Sequence, residues 1–126
     1  MKKIISTKKA PAPLGPYNQA VLHGGTLYIS GQIAINSETG KLVLDTIENE
    51  TAQVMHNLSA ILHEAGFSFE NVIKSSIFIS NMDDFAKINT VYGSFFNDET
   101  APARETVQVA RLPKDVNVEI SMIAAK

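Results

Sequence analysis

The chain has 126 residues, a formal net charge of −2, 44% apolar residues and no cysteine. That length suits one domain spanning 1–126, and with 19% charged residues and a mean hydropathy of +0.01 the composition lies far from that of disordered chains. The missing thiols exclude disulfides, thiolate metal sites and a cysteine nucleophile, no apolar run approaches the ~18 residues of a membrane span, and the near-neutral charge speaks against a nucleic-acid footprint.

The start, Met1-Lys2-Lys3-Ile4-Ile5-Ser6, carries the charge of a secretion signal but only two apolar residues after it. No signal peptide is expected, and a cytoplasmic location fits both this and the absent cysteines. Ala10-Pro11-Ala12-Pro13-Leu14-Gly15-Pro16 reads as an extended, semi-rigid arm, because proline fixes φ and biases its predecessor to extended angles. Asn18 to Val21 and Thr26 to Ile29 are β-prone runs flanking His23-Gly24-Gly25, a hairpin signal. Gln32 to Ile35 reads as a further strand that ends at the turn cluster Asn36 to Gly40.

From Asp45 the period changes. Ile47, Thr51, Val54, Met55, Leu58, Ile61, Leu62 and Ala65 share one helical face. Asp45 with Glu48 predicts a capping box, and Gly66 predicts a left-handed stop. Val72 to Ser80, rich in Ile and Phe, reads as a strand. Asn81 to Asp84 offers helix-start residues, and Phe85, Ile88, Tyr92, Phe95 and Phe96 follow at helical spacing, ending near Asn97. Arg104 to Val109 alternates weakly and Val116 to Met122 cleanly, so two strands close the chain. The order β-β-β-α-β-α-β-β predicts an α+β sheet with both helices on one face. The other face then needs cover, which a homo-oligomer supplies.

Most chemistry-bearing constellations are missing. His56 and His63, seven residues apart on the predicted helix, lie ~10 Å apart along its axis and cannot share one zinc ion. His23 stands alone, so no metal site is expected. Nucleophile-elbow, phosphate-loop and dinucleotide motifs are absent, and Ser30-Gly31 alone lacks the neighbouring base that an activated serine needs. Two charges remain: Arg104, after Pro102-Ala103, and Glu119, on the polar face of the last strand. One reading has both solvated or joined in a structural ion pair. The other places a carboxylate-binding arginine beside a water-activating carboxylate, since a guanidinium fork donates two parallel hydrogen bonds to a small acid.

At these residues the chain resembles a known family. Pro102-Ala103-Arg104-x-x-Val107-x-Val109-Ala110-x-Leu112-Pro113, Gly15-Pro16-Tyr17, Ser30-Gly31-Gln32-Ile33 and Asp84-Phe85-Ala86-x-Ile88-Asn89-x-x-Tyr92 together resemble the RidA/YjgF reactive intermediate deaminases, over essentially the whole chain and in order. The resemblance implies a chorismate-mutase-like α+β fold: a mixed sheet with two helices on one face, three subunits around a central β-barrel, and ligand sites in the clefts between subunits. It also implies that the strand from Val72 lies between the last two strands, which sequence adjacency alone would pair as a hairpin. The implied reaction is hydrolysis of 2-imino or enamine acids to 2-keto acids and ammonia, without a cofactor. Arg104 would bind the substrate carboxylate and Glu119 would handle the water, while Tyr17, Ser30, Gly31, Asn89 and Thr106 would line the cleft. The chain departs from the family where Glu105-Thr106 replaces the usual Ser-Cys, so no thiol is required. On an alternating strand Glu105 points away from Arg104. The alternative reading is a non-catalytic regulator that binds 2-keto acids. Neither nucleic acid nor membrane is expected as a partner.

Overall fold

The structure is a computed structural model covering residues 1–126. Its longest helix, α1 (Ile47–Glu64), forms where the apolar stripe predicts it. Val54, Met55, Leu58, Ile61 and Leu62 are buried on one face. Thr46, rather than Asp45, caps it: the Thr46 hydroxyl accepts the Asn49 N–H at 3.0 Å, while Asp45 accepts from the Asn49 side-chain amide at 2.9 Å. The helix starts one residue later than the Asp45–Glu48 pattern places it, so the capped orphan N–H is that of Asn49 rather than Glu48. Gly66, at φ +79°, ends the helix, and the Phe67 N–H closes on the Leu62 carbonyl at 2.8 Å.

Six strands make one sheet: β1 (Lys3–Ile5), β2 (Ala20–His23), β3 (Thr26–Gln32), β4 (Val72–Ile79), β5 (Ala103–Gln108) and β6 (Val118–Ala125), in the order β1-β2-β3-β6-β4-β5. All pairs are antiparallel except β4 with β5. Strand β4 thus separates the last two strands in sequence. A parallel β4–β5 pair needs a crossover, which the second helix α2 (Phe85–Gly93) provides. Both helices pack on one face, where Ile88 and Tyr92 of α2 join the α1 stripe and the inward residues of β3, β4 and β6 in one core. On the other face no α-helix covers the sheet: Tyr28 is 50% and Val107 43% exposed, while Phe78 packs against a small cluster of Ile33, Leu112 and Val116.

Some sequence expectations move. The first residues add a strand that the sequence did not show: Lys3–Ile5 pairs with β2, a strand too short and too exposed to produce alternation. The hairpin turn is Gly24-Gly25, both at positive φ, and its first strand is Ala20–His23 rather than Asn18 to Val21. Gln32 to Ile35 is no separate strand. Strand β3 runs on to Gln32, and Ile35 makes a single bridge to Leu42. Helix α2 stops at Gly93, with Phe95 and Phe96 packing beyond it, and the final strand starts at Val118, two residues later than its alternation begins.

Between Ile29 and Gln32 the β3–β6 register slips. Ile29 faces Met122 while Gln32 faces Ile120, so Ser30 and Gly31 together oppose Ser121. This bulge redirects β3 just where Glu119 emerges from β6.

Candidate functional site

The residues singled out from sequence fall into two groups on opposite faces of the sheet. Arg104 lies on the edge strand β5, in register with Ser75 of β4. Ser75 is buried and its hydroxyl accepts from the Tyr92 hydroxyl at 2.9 Å, which places this register position on the helix side. Helix α2 then offers Arg104 one of its faces. Phe85, Asn89 and Tyr92 stand at i, i+4 and i+7. The Arg104 guanidinium carbon lies 5.1 Å from the Tyr92 ring centroid and 5.8 Å from that of Phe85, and its Nη1 donates to Asn89 Oδ1 at 2.7 Å. The aromatic faces and the amide oxygen hold the guanidinium without using up its other donors. Burial pushes the Tyr92 phenol up, against the opposing effects of the Ser75 hydrogen bond and the nearby Arg104 charge.

Asn89 therefore touches Arg104 itself, which the sequence did not suggest. In the sequence Phe85 and Tyr92 stand out only by helical spacing and by the motif they share with Asn89, and that shared spacing is the available signal. Thr106, two residues beyond Arg104 on the same face, has a buried hydroxyl with no hydrogen-bond partner. Glu105 faces the opposite way. It accepts from Lys74 Nζ at 2.8 Å and from the Ser76 hydroxyl, and these bonds hold its carboxyl below the usual range.

Glu119 occupies the uncovered face, in register with Phe78. Its side chain lies along Gly31, where a Cβ would come within 2.5 Å of Oε2 and 2.9 Å of Cδ. Only glycine permits this approach. Burial raises the Glu119 carboxyl above its ordinary range. The pocket around it is lined by Pro11, Pro13, Leu14, Ile33, Ile35 and Pro113, together with Tyr17, Gln19 and Gly31. Gln19, buried, ties the proline arm down as one wall: its amide nitrogen donates to the carbonyls of Thr7, Ala10 and Pro11, and its oxygen accepts the Thr7 N–H at 2.7 Å. Tyr17 accepts the Leu14 N–H at 3.1 Å, and the Ser30 hydroxyl donates to the Asn18 carbonyl at 2.6 Å.

Arg104 and Glu119 are thus not side by side, and they form no ion pair within the chain. Strand β4 stands between theirs, roughly 9.5 Å across the sheet, and their side chains leave opposite faces. No group of three or more His, Asp or Glu side chains is arranged to hold a metal ion. His56 packs edge-on to Phe95, with ring centroids 5.7 Å apart. No helix is long and apolar enough to cross a membrane.

Comparison with known proteins adds a second line of observation. The family model described as endoribonuclease L-PSP matches residues 7–126. The RutC family protein slr0709 of Synechocystis is 50% identical over 123 residues, covering 97% of this chain and 95% of that protein. Among solved structures, YyfA from Yersinia pestis, of the conserved Rid protein family, superposes with a TM-score of 0.96 at 44% identity, covering 100% of both chains. E. coli TdcF with bound serine superposes with a TM-score of 0.92 at 43% identity, covering 98% of both chains.

Proposed function

Because the chain belongs to the Rid family, whose model is described as endoribonuclease L-PSP, we propose that it is a hydrolytic deaminase of small 2-imino and enamine acids. Its substrates would be 2-iminopropanoate, the tautomer of 2-aminoacrylate, and 2-iminobutanoate. The products would be pyruvate or 2-oxobutyrate, and ammonia. The observation that carries this reading is the Arg104 guanidinium, oriented by Asn89 and Tyr92 with donors left for a small carboxylate. The serine bound to TdcF, a relative of the same fold, is a molecule of that class.

An imine carbon is already electrophilic, so a covalent nucleophile is unnecessary. The site must hold the acid, place a water and manage protons. Arg104 binds the carboxylate. The protonated imine, C=NH2+, is the electrophile: Glu119, ionised, takes a proton from the water as its oxygen bonds to the imine carbon and the C=N π pair moves onto nitrogen, giving the neutral carbinolamine. Glu119 returns that proton to the amine nitrogen. The C–N bond then breaks as the carbonyl forms, and the hydroxyl proton leaves with ammonia as ammonium, so Glu119 ends as the carboxylate. The apolar, half-buried setting of Glu119 raises its proton affinity and suits it to both steps.

Within one chain these two groups face away from each other, so a working site takes Arg104 from one copy and Glu119 from the next. The sheet face without an α-helix, where Tyr28 and Val107 are exposed, supports an assembly through that face. We take it to be a homotrimer around a central barrel, with the whole chain acting as one domain. Tyr17, Ser30 and Gly31 then line the cleft on the Glu119 side, and Asn89 and Thr106 on the Arg104 side. No cofactor enters this scheme.

The test couples the purified protein to a serine or threonine dehydratase and follows keto-acid release while semicarbazide competes for the imine. Faster release that disappears with Arg104→Ala supports the reading. No acceleration over buffer sinks it. Binding of 2-oxobutyrate without turnover would make the protein a sensor instead. Endoribonuclease activity, which the family model's description raises, has little electrostatic footing on a chain of net charge −2. RNA cleavage that co-purifies with the protein and falls steeply with salt would overturn that exclusion.

A further inference from the structure

Glu50 is a buried carboxylate that the chemistry above does not use. It sits on the inward face of α1 with no exposed surface, a setting in which a carboxylate persists only when its lone pairs are satisfied. Its partners lie 67 and 68 residues away. Oε2 accepts the Asn117 N–H at 2.7 Å and the Val118 N–H at 3.1 Å, and Oε1 accepts from the Asn117 side-chain amide at 2.8 Å. Glu119 is the next residue.

The chain reaches this point through an awkward turn. Lys114 and Asp115 both hold positive φ, at 56° and 57°, without being glycine. Strand β6 begins only at Val118. The neighbouring β4 end secures Asn117 through its carbonyl, which accepts the Ser80 N–H at 3.0 Å, and through its side-chain oxygen, which accepts the Ser80 hydroxyl at 3.2 Å. The N–H groups of Asn117 and Val118 are left to Glu50. A helix side chain thus fixes the two peptides from which Glu119 departs.

We infer that Glu50 is a positioning residue for Glu119: by clamping the Asn117 and Val118 peptides from α1, it sets the direction in which Glu119 leaves β6 and holds its carboxylate along Gly31. The inference rests on the proposed reading of Glu119 as the water-handling group. Around Glu119, β3 supplies Gly31 and β4 supplies Phe78, while the proline arm and Tyr17 complete the pocket. Within its own chain Tyr17 is the only other titratable side chain there and no cation faces it; in the proposed assembled site Arg104 of the next copy adds one cation, so the seat and that guanidinium together set the carboxyl's proton affinity. A peptide free to rock at Asn117 would move that carboxylate by an ångström or so, a displacement able to cost about 100-fold in rate.

The experiment compares Glu50→Ala, Glu50→Gln and Glu119→Gln in the dehydratase-coupled assay, with folded fraction, kcat, KM, 2-oxobutyrate affinity and the pH profile measured for each. Glu50→Ala is expected to lower kcat about 10- to 100-fold, with KM and 2-oxobutyrate Kd within about twofold of the parent. Its acid limb should move to lower pH, as Glu119 relaxes toward water. Glu50→Gln keeps an oxygen for the backbone N–H groups and can donate to a flipped Asn117 amide, so it should restore kcat to within about threefold. Merely structural support would reduce the folded fraction and leave kcat per folded site and the acid limb unchanged. Should Glu50→Ala fail to fold, Glu50→Asp, with its carboxylate drawn back by one methylene, replaces it under the same criteria. A folded variant with parental kcat and acid limb overturns the inference if Glu119→Gln is inactive. Turnover that survives Glu119→Gln overturns the reading of Glu119, and the positioning role with it.

Discussion

Glu119 lies against Gly31 so closely that a Cβ there would fall 2.5 Å from Oε2 and 3.1 Å from Cγ. The bulge in β3 brings the glycine under the carboxylate, and its backbone is not in the left-handed region, so alanine meets no torsional objection. Gly31→Ala should therefore fold, with a Tm within a few degrees of the parent, because the clash is with the end of a flexible side chain. Displacing that carboxylate should cost about 10-fold or more in kcat. Steady-state kinetics beside a thermal melt checks this; a folded variant with parental kcat would show that the Glu119–Gly31 contact is incidental.

Arg104 and its helix-borne supports should separate by kinetic parameter. Arg104→Ala removes the only cation in its pocket and should abolish turnover. Arg104→Lys keeps the charge but loses the planar fork and the stacking on Tyr92, so KM should rise steeply. Asn89→Ala deletes one charge-assisted hydrogen bond at an exposed position. An increase in KM of about 3- to 10-fold, with kcat nearly kept, is expected for a residue that orients the guanidinium. A large fall in kcat with unchanged KM would instead place Asn89 at the reacting atoms.

How much of this was legible in the sequence depends on how local the determinant is. The α1 stripe, the Gly66 stop and the alternation of the last strand follow from residues within one or two turns of each other, and they stand as read apart from the cap and the strand's first residues. Strand β1 exists only because β2 is there to pair with it. That β4 separates β5 from β6 was reached through a family resemblance, since adjacency in sequence argues for a hairpin. The separation of Arg104 from Glu119 was hidden for a related reason: it depends on register across three strands, which no single strand's pattern contains. Glu50 left little trace, an acidic residue in the first turns of a helix whose buried face also carries Thr51 and Asn57, and its partners are 67 and 68 residues away.

Thr106 offers a test in which stability and activity should diverge. Its hydroxyl is buried and unpaired, which costs about 1–3 kcal/mol relative to a satisfied group. Thr106→Val keeps the β-branched shape, suits a strand, and removes that orphan. The variant should be as stable as the parent or more so, by up to about 1 kcal/mol in urea unfolding. If the hydroxyl is held for a ligand, the same change should raise KM several-fold. Lower stability in Thr106→Val would mean that the hydroxyl is satisfied in the assembled protein by a neighbouring chain.

Glu119 should cost the fold stability that its chemistry requires. Burial raises its carboxyl above the unfolded value, so the folded state binds this proton more tightly than the unfolded one. At pH below the unfolded pKa both states are protonated and the group imposes no penalty. As pH rises through the folded pKa the stabilising proton is lost, and the penalty is complete once pH is well above that value. Glu119→Gln should therefore raise Tm at pH 7, and the gain should shrink as pH falls and vanish toward pH 4. Catalysis runs in the opposite sense. The ionised form takes the water's proton, so kcat should climb with pH as Glu119 ionises and reach its plateau once that carboxyl is fully charged. Melting curves of parent and variant across pH 4–8, set beside the kcat profile, test both halves. A variant that melts below the parent at pH 7 would contradict the desolvated seat of Glu119.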